Sequence, residues 1–290
     1  MIDYSKFVKN SRKWLKEYIQ NNHLQSIIIG ISGGIDSTVS CAIASPVCKE
    51  LNIPLIGRSL PTVSNHDIEI DVADLVGNAF CDNYTKKSIE ADYIQLLGSL
   101  EREGEVSKLQ KGNIKARLRM IYLRNLASVY KGVVLDNDNF TEWNLGFWTV
   151  GGDSPMDINL GLHYLWKTEV YELAHYLLSI EDTQDKRDAI RASILLTPTD
   201  GNGVSNSDCD QFGLDNYAQV DDVLKTMYEP KVVDNKYNVI LSPDEMDKEY
   251  IRLIDSYNEQ GVDKVMLLHQ NTAYKRKELP IKPTKEELGL

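Results

Sequence analysis

A short glycine loop carries the groups whose types and spacing indicate chemistry. Ser32-Gly33-Gly34 follows an isoleucine-rich run and precedes Asp36-Ser37-Thr38, residues that suit the first turn of a helix. The backbone N–H groups of such a loop converge near the positive end of the helix dipole, where they bind anions such as phosphate. The usual phosphate-binding loop has a lysine followed by Ser or Thr, whereas this loop carries a carboxylate. A divalent cation between Asp36 and a phosphate would explain that carboxylate; the alternative is a capped strand–helix turn without a ligand.

The elements that must position this loop alternate between strands and helices. Apolar runs predict buried strands over 27–31, 53–60 and 132–135, and a shorter strand over 83–89. Helical spacing predicts helices over 4–19, 38–51, 67–80, 94–100 and 113–130, with Pro46 kinking or breaking the second. This alternation predicts an α/β fold, a doubly wound, Rossmann-like parallel sheet flanked by helices. A ligand then belongs at the carboxyl ends of the strands, where the glycine loop lies.

The later part of the chain combines helices with polar segments. Residues 101–111 are predicted to form a mobile loop, and residues 198–215 a lid, because long loops are uncommon unless they are functional or disordered. Further helices are predicted over 142–148, 167–178, 217–228, 243–258 and 262–272, an irregular stretch over 149–157 and a basic extended tail over 274–283. We expect one domain over residues 1–290, whose C-terminal part from about 215 onward is helical and ends in that tail.

A polar cluster, Asp136-Asn137-Asp138-Asn139, follows the predicted strand over 132–135. At the carboxyl end of a strand in an α/β sheet, such a cluster is a functional candidate. Asn and Asp are also ordinary turn residues, because their side chains bond to nearby backbone groups. Spacing alone leaves both interpretations open.

Composition narrows the function classes. The net charge of −11 over 290 residues argues against a nucleic-acid-binding surface. No apolar run approaches the roughly 20 residues of a membrane span, and the N-terminal residues lack a signal-peptide core, so we expect a cytoplasmic protein without a membrane partner. The four cysteines show no metal-ligand spacing and are expected to be small buried side chains. We expect His163 and His175 at surface or packing positions.

Several segments in register carry a family resemblance. Ser32-Gly33-Gly34-Ile35-Asp36-Ser37 resembles the SGGxDS loop of the ATP pyrophosphatases, which split ATP into AMP and pyrophosphate to adenylate an acceptor. The stretch 111–120, KGNIKARLRM, is similar to the KGNxKARxRM motif of ammonia-dependent NAD synthetases. Residues 135–142 stand where that family has GTDxxxE, and residues 167–174 resemble its LxKTxVxxLA. The resemblance covers roughly residues 4–283, in order.

The resemblance implies an enzyme, a ligase that amidates nicotinic acid adenine dinucleotide (deamido-NAD) to NAD with ammonia. ATP is the co-substrate, the intermediate is adenylated, and AMP and pyrophosphate are released. It implies Mg²⁺ bound by Asp36 and Glu142, which with Lys167 form the catalytic set, and a homodimer. The implied ATP site comprises Gly30, Ile31, Ser32, Gly33, Gly34, Ile35, Asp36, Ser37, Thr38, Asn137, Lys167 and Thr199. The implied substrate site comprises Arg117, Asp157, Tyr274 and Lys275.

This chain departs from the family pattern mainly toward the acceptor site. Asp136 replaces a glycine and Asn137 a threonine, while Val150 replaces a lysine and Tyr274 a histidine. Two other hypotheses follow: a related amidotransferase or ligase acting on a different carboxylate, and a nucleotide-binding protein without catalysis. The acidic charge and the 111–120 motif count against a ligase acting on tRNA. The retained Asp36, Glu142 and Lys167 argue for catalysis, whereas the changes at 150 and 274 are what a non-catalytic binder would explain.

Overall fold

The computed structural model describes residues 2–228, 231–233, 236–239, 241–277 and 284–290. Its centre is a five-stranded parallel sheet in the order β3-β2-β1-β4-β5. The strands are β1 (Ser26–Gly30), β2 (Leu55–Ser59), β3 (Asn83–Lys86), β4 (Gly132–Asp136) and β5 (Ile158–Asn159). A separate antiparallel pair joins β6 (Lys231–Val233) to β7 (Lys236–Val239). The predicted α/β class with a parallel sheet is confirmed.

Helices cover both faces of the sheet because successive side chains of β1 point to opposite sides. Ile27 and Ile29 belong to a core shared with α1, α2 and α7, whereas Ile28 packs with α4 and α5. The helices of this region are α1 (Tyr4–Asn21), α2 (Ile35–Leu51), α3 (Asp67–Phe80), α4 (Glu90–Leu100), α5 (Lys108–Val129), α6 (Phe140–Leu145), α7 (Lys167–Ile180) and α8 (Gln184–Leu195).

A second core forms under the C-terminal helices, which pack around Phe212, Val220 and Leu253. These helices are α9 (Asp208–Phe212), α10 (Tyr217–Tyr228), α11 (Pro243–Ser256) and α12 (Glu259–Asn271). The short helix α13 (Lys285–Leu288) contacts α1 through the buried Leu288, and 3₁₀ turns occupy Leu162–Tyr164 and Lys275–Lys277. No helix of the described ranges is both long and apolar enough to cross a membrane.

Three local expectations are wrong. The break that was one of the two effects expected of Pro46 does not occur, because α2 continues to Leu51. Proline has no N–H to donate to the carbonyl of Ala42, which accepts a hydrogen bond from Arg12 at 3.0 Å instead. The mobile loop predicted over 101–111 already becomes helix at Lys108, because Ser107 and Gln110 form a capping box. Helix α9 interrupts the predicted lid over 198–215. Helix α8 and strand β5 had no prediction, and residues 278–283 of the predicted tail lie outside the described residues.

Candidate active site

A cavity of about 660 Å³ lies at the carboxyl edge of the sheet. Its walls come from the glycine loop after β1, the ends of β2 and β4, one face of α5, the start of α6, and the segment 196–204. Of the residues singled out from the sequence, the cavity is lined by Gly30, Ile31, Ser32, Gly34, Ile35, Asp36, Ser37, Arg117, Asn137, Glu142, Lys167, Thr199, Tyr274 and Lys275. Gly33, Thr38 and Asp157 do not line it.

The glycine loop is shaped by one position that requires glycine. Gly33 has a φ of +85°, and an added Cβ would lie 2.6 Å from the carbonyl oxygen of Glu69, so α3 passes directly behind the loop. Helix α2 starts at Ile35, which leaves its first N–H groups at the cavity. Thr38 turns away: its hydroxyl donates to the Gly34 carbonyl at 3.0 Å and lies 2.7 Å from Ser193 Oγ.

Three charged side chains from distant parts of the chain meet beside this loop. Lys167 Nζ donates to Asp36 Oδ2 at 2.5 Å and to Glu142 Oε1 at 2.8 Å, and Lys167 is only 3% exposed. Asn139 caps α6 and donates to Asp36 Oδ1 at 2.8 Å, which fixes the carboxylate orientation. Burial, together with the nearby Asp36, raises the pKa of Glu142 to about 7 despite its lysine partner. Burial alone would lower the pKa of Lys167, but the two carboxylates raise it, so the ammonium form is held.

Asp208, at the start of α9, is a fourth charged residue of this region, and the sequence analysis missed it. It lines the cavity, is 3% exposed, and accepts a hydrogen bond from Tyr217 Oη at 2.8 Å. Burial raises the pKa of Asp208 to about 6, against the opposite effect of Lys167. No periodic pattern in the sequence marks Asp208, because it follows a polar segment. Its surroundings in the fold include Lys167 and Tyr217, and Lys167 is distant in sequence.

The polar cluster after β4 divides between structure and cavity. Asp136 is fully buried, and its carboxylate accepts five hydrogen bonds of 2.8–3.1 Å, from Asp138 N, Ser154 Oγ, Met156 N, Asn159 Nδ2 and His163 Nε2. Asn137 and Asp138, by contrast, line the cavity. Both interpretations that the sequence left open therefore apply, each to different residues. His163 is buried beside Trp143.

The residues that the resemblance assigns to the acceptor differ in how firmly the fold holds them. Lys275 Nζ donates to the carbonyls of Gly146 (2.7 Å) and Trp148, so its ammonium is fixed at the cavity wall. Arg117 Nε donates to the carbonyl of Val150 at 3.2 Å, and Tyr274 is 63% exposed.

Asp157 lies apart from this wall. Its carboxylate accepts a hydrogen bond from Val134 N at 2.8 Å and pairs with Arg124. In this protomer Asp157 therefore tethers helix α5 to strand β4 and does not face the cavity.

Two cations on successive turns of α5 fasten the neighbouring loops. Lys115 donates to Ser64 Oγ at 2.8 Å and to the Asn202 carbonyl at 3.0 Å. Arg119 donates to Leu60 O at 3.1 Å and to Asn202 Oδ1 at 2.8 Å. The segment around Asn202, which was predicted to be a lid, is thereby held over the cavity. Thr199 in the same segment donates to the Glu69 carboxylate.

Taken together, the cavity combines an anion-binding loop, a fixed ammonium and oriented carboxylates. The loop and Lys167 can hold a polyphosphate, and Asp36 and Glu142 are hard oxygen donors suited to a divalent cation. Arg117 and Lys275 add positive charge to the cavity wall, where a second anionic molecule can lie next to the first. This arrangement can bring a phosphate ester and a nucleophilic carboxylate together away from bulk water.

Comparison with known proteins gives a consistent result. The chain matches the NAD synthase family over residues 7–279. It is similar to the NH(3)-dependent NAD(+) synthetase of Thermoplasma volcanium, with 30% identity over 229 residues, 79% of this chain and 86% of that protein. The enzyme of the same name from Finegoldia magna is 31% identical over 223 residues, 77% and 85% of the two chains. Among solved structures, the NMN synthetase from Francisella tularensis gives a TM-score of 0.73 at 25% identity, covering 98% of this chain and 100% of that chain.

Proposed function

The chain belongs to the NAD synthase family, and on that basis we propose a role for each residue of this cavity in an ATP-dependent amidation. The protein is a ligase that makes NAD with ammonia. In the proposed reaction, a carboxylate oxygen of deamido-NAD attacks the α-phosphorus of ATP, and pyrophosphate leaves with the electrons of the broken bond. Ammonia then adds to the acyl carbon, a proton is lost, and AMP leaves. Adenylation is needed because a free carboxylate oxygen is a poor leaving group.

The observation that best supports this proposal is the contact of Lys167 with both Asp36 and Glu142 beside the glycine loop. The loop N–H groups, Ser37 and Lys167 would hold the phosphates and offset the charge that builds up on them as the bond breaks. Thr199 and Asn137, which also line the cavity, would complete the ATP site. Arg117, Tyr274 and Lys275 would bind the acceptor at the opposite wall.

The residues present fit a magnesium ion. Asp36 and Glu142 are largely buried, offer hard oxygen ligands and line the same cavity as the glycine loop. Burial raises the pKa of Glu142 to about 7, so Lys167 alone does not offset the cost of burying the negative charge of Glu142. We propose that these two residues hold Mg²⁺, which when bound neutralises phosphate charge in the transition state.

The first experiment measures pyrophosphate release from ATP and Mg²⁺, with and without deamido-NAD and ammonium, followed by the mass of the product. We expect release that depends on the dinucleotide, with NAD as product. The matched control is Asp210→Asn, because Asp210 is exposed on α9 and outside the cavity wall, so its rate should equal that of the wild type. Release without a dinucleotide requirement would contradict the proposal.

We also propose a cytoplasmic homodimer organised as one domain over residues 1–290. Helix α5 supports the dimer, because it exposes Ile121 (60%) and Val129 (64%) on the face turned away from the core. Sedimentation equilibrium tests the oligomeric state. Ile121→Glu should shift the dimer toward monomer without unfolding the chain, and a wild type that is monomeric at micromolar concentration would contradict the proposal.

A second candidate acceptor is the corresponding mononucleotide, nicotinic acid mononucleotide. The Francisella tularensis protein titled NMN synthetase aligns with nearly the whole of this chain. Asp157, which the resemblance assigns to the dinucleotide, lies outside the cavity in this protomer, and Val150 replaces a family lysine. Rates with each acceptor at equal ATP and ammonium decide between them: a kcat/KM at least tenfold higher for the mononucleotide would replace the first proposal.

A further inference from the structure

Asp208 is a buried carboxylate of the cavity wall that the proposed mechanism does not use. It begins α9, at the base of the segment held over the cavity, and its backbone N–H donates to the Pro198 carbonyl at 3.0 Å. The side chain is turned inward, where Tyr217 donates to its Oδ2. Asp208 lines the same cavity as Asp36 and Glu142.

One oxygen of this carboxylate lacks a partner. Within the described ranges, Asp208 Oδ1 is buried and makes no hydrogen bond. A buried carboxylate oxygen without a partner is costly, because it has lost its hydration without gaining an interaction in exchange. Its position in the wall of a ligand cavity indicates that the missing partner is a bound species.

The charges of the surrounding residues indicate the sign of that species. Asp36, Glu142 and Asp208 are three carboxylates, and Lys167 is the ammonium that interacts with all of them. When all four are ionised, two negative charges remain in excess, which one divalent cation would balance.

We propose that Asp208 is a third carboxylate of the divalent-cation centre, acting with Asp36 and Glu142 through a metal-bound water. This inference rests on the proposed function for the identity of the site, but it concerns cation binding alone. Because Asp208 is bonded to Pro198, cation binding would also fix the base of the segment over the cavity. Tyr217 donates to the other oxygen, Oδ2, and that bond is assigned to the stability of the fold.

The test measures Mn²⁺ binding to the full chain by the electron paramagnetic resonance signal of free Mn²⁺, with no ATP or acceptor present. Asp208→Asn should weaken Mn²⁺ binding by roughly 10–100-fold, and Asp36→Asn should weaken it as well. Asp210→Asn, on the exposed side of the same helix, should bind like the wild type. Should Asp208→Asn not fold, Asp208→Ser removes the carboxylate and leaves room for water.

Tyr217→Phe separates a cation role from a structural one. It removes the hydrogen bond to Oδ2 but keeps the carboxylate, so thermal stability should fall while Mn²⁺ affinity stays within about threefold of the wild type. Equal affinities in Asp208→Asn and the wild type would overturn the inference, as would equal losses in Asp208→Asn and Tyr217→Phe. A wild type that binds Mn²⁺ through Asp208 but forms no NAD would refute the proposed function and leave this inference standing.

Discussion

Replacing Asp136 with alanine should destabilise the protein and loosen the acceptor wall. The family resemblance places a glycine at this position, yet here a fully buried carboxylate accepts five hydrogen bonds. Two of the donors, Ser154 and Met156, lie in the segment that continues from Thr149 and Val150 at the cavity wall. Asp136→Ala would remove the carboxylate that accepts these five bonds, whereas Asn159 Nδ2 would keep its bonds to the carbonyls of residues 136 and 138.

The size of the loss in unfolding free energy follows from the cost of removing one member of a buried charged pair and leaving the other member in place. Removing one member of such a pair costs about 3–5 kcal/mol, and the five bonds do not add independently. At roughly 2–4 °C per kcal/mol for a chain of this size class, the melting temperature should fall by about 6–20 °C. Burial alone would raise the pKa of Asp136, but hydrogen bonds from His163, Met156 and Asn159 lower it overall.

The pH dependence has a definite sign because the folded-state pKa of Asp136 is lowered. The contribution of ionised Asp136 to the free energy of unfolding is fully present above its unfolded-state pKa of about 3.9. It is lost as the pH falls through the lower folded-state pKa. The gap in unfolding free energy between wild type and Asp136→Ala should therefore be constant from pH 8 to about 5 and shrink below about 4.

Urea unfolding at several pH values measures this gap, with Asp215→Ala, an exposed carboxylate on the same chain, as the control. Steady-state kinetics adds a functional measure: KM for the acceptor should rise, whereas KM for ATP should stay nearly constant. A variant within 1 kcal/mol of the wild type at pH 7 would refute the reasoning, because the five bonds would then contribute almost nothing.

Three further results are expected. Asp36→Asn should lower pyrophosphate release by about 100-fold or more, because it removes a charged ligand without changing the side-chain volume; a residual rate above a tenth would contradict its role. For Glu142→Gln we expect the free energy of unfolding, measured against that of the ligand-free wild type, to rise by about 3 kcal/mol from pH 4 to pH 8. The reason is that a raised carboxyl pKa makes the folded wild type lose stability as the pH rises through it. Calorimetry at both pH values measures this difference, and a difference that does not change with pH would contradict the prediction. Val150→Lys, at an exposed position of the cavity wall, should lower KM for deamido-NAD severalfold and leave KM for ATP unchanged; an unchanged KM for the dinucleotide would favour the mononucleotide acceptor.

Local signals predicted the elements that depend on local forces. The strands of the sheet and most helices follow hydrophobic periodicity, and the glycine loop follows from Gly33, whose backbone conformation other residues adopt only under strain. Helix α2 does not break at Pro46, and Arg12, on a different helix, bonds to the carbonyl that the proline leaves free. A tertiary contact of this kind leaves no trace in the spacing of α2 itself.

The candidate site divides in the same way. The resemblance named Lys167, Asp36 and Glu142, but the sequence around Lys167 does not by itself distinguish it from an ordinary surface lysine at a helix start. The resemblance also gave Asp157 to the acceptor, whereas the folded protomer pairs it with Arg124 and Val134 outside the cavity. Asp208 had no sequence signal at all.

The sequence by itself determined that a parallel sheet presents an anion-binding glycine loop, because β-branched runs, helical spacing and glycine conformations are properties of short segments. Only the tertiary structure decided which charges meet at that loop. Lys167 lies 131 residues from Asp36 and 25 from Glu142, and the three converge because α2, α6 and α7 all begin at the same edge of the sheet. Convergence of this kind, and the pKa changes that burial then imposes, depend on packing between elements that no local pattern encodes.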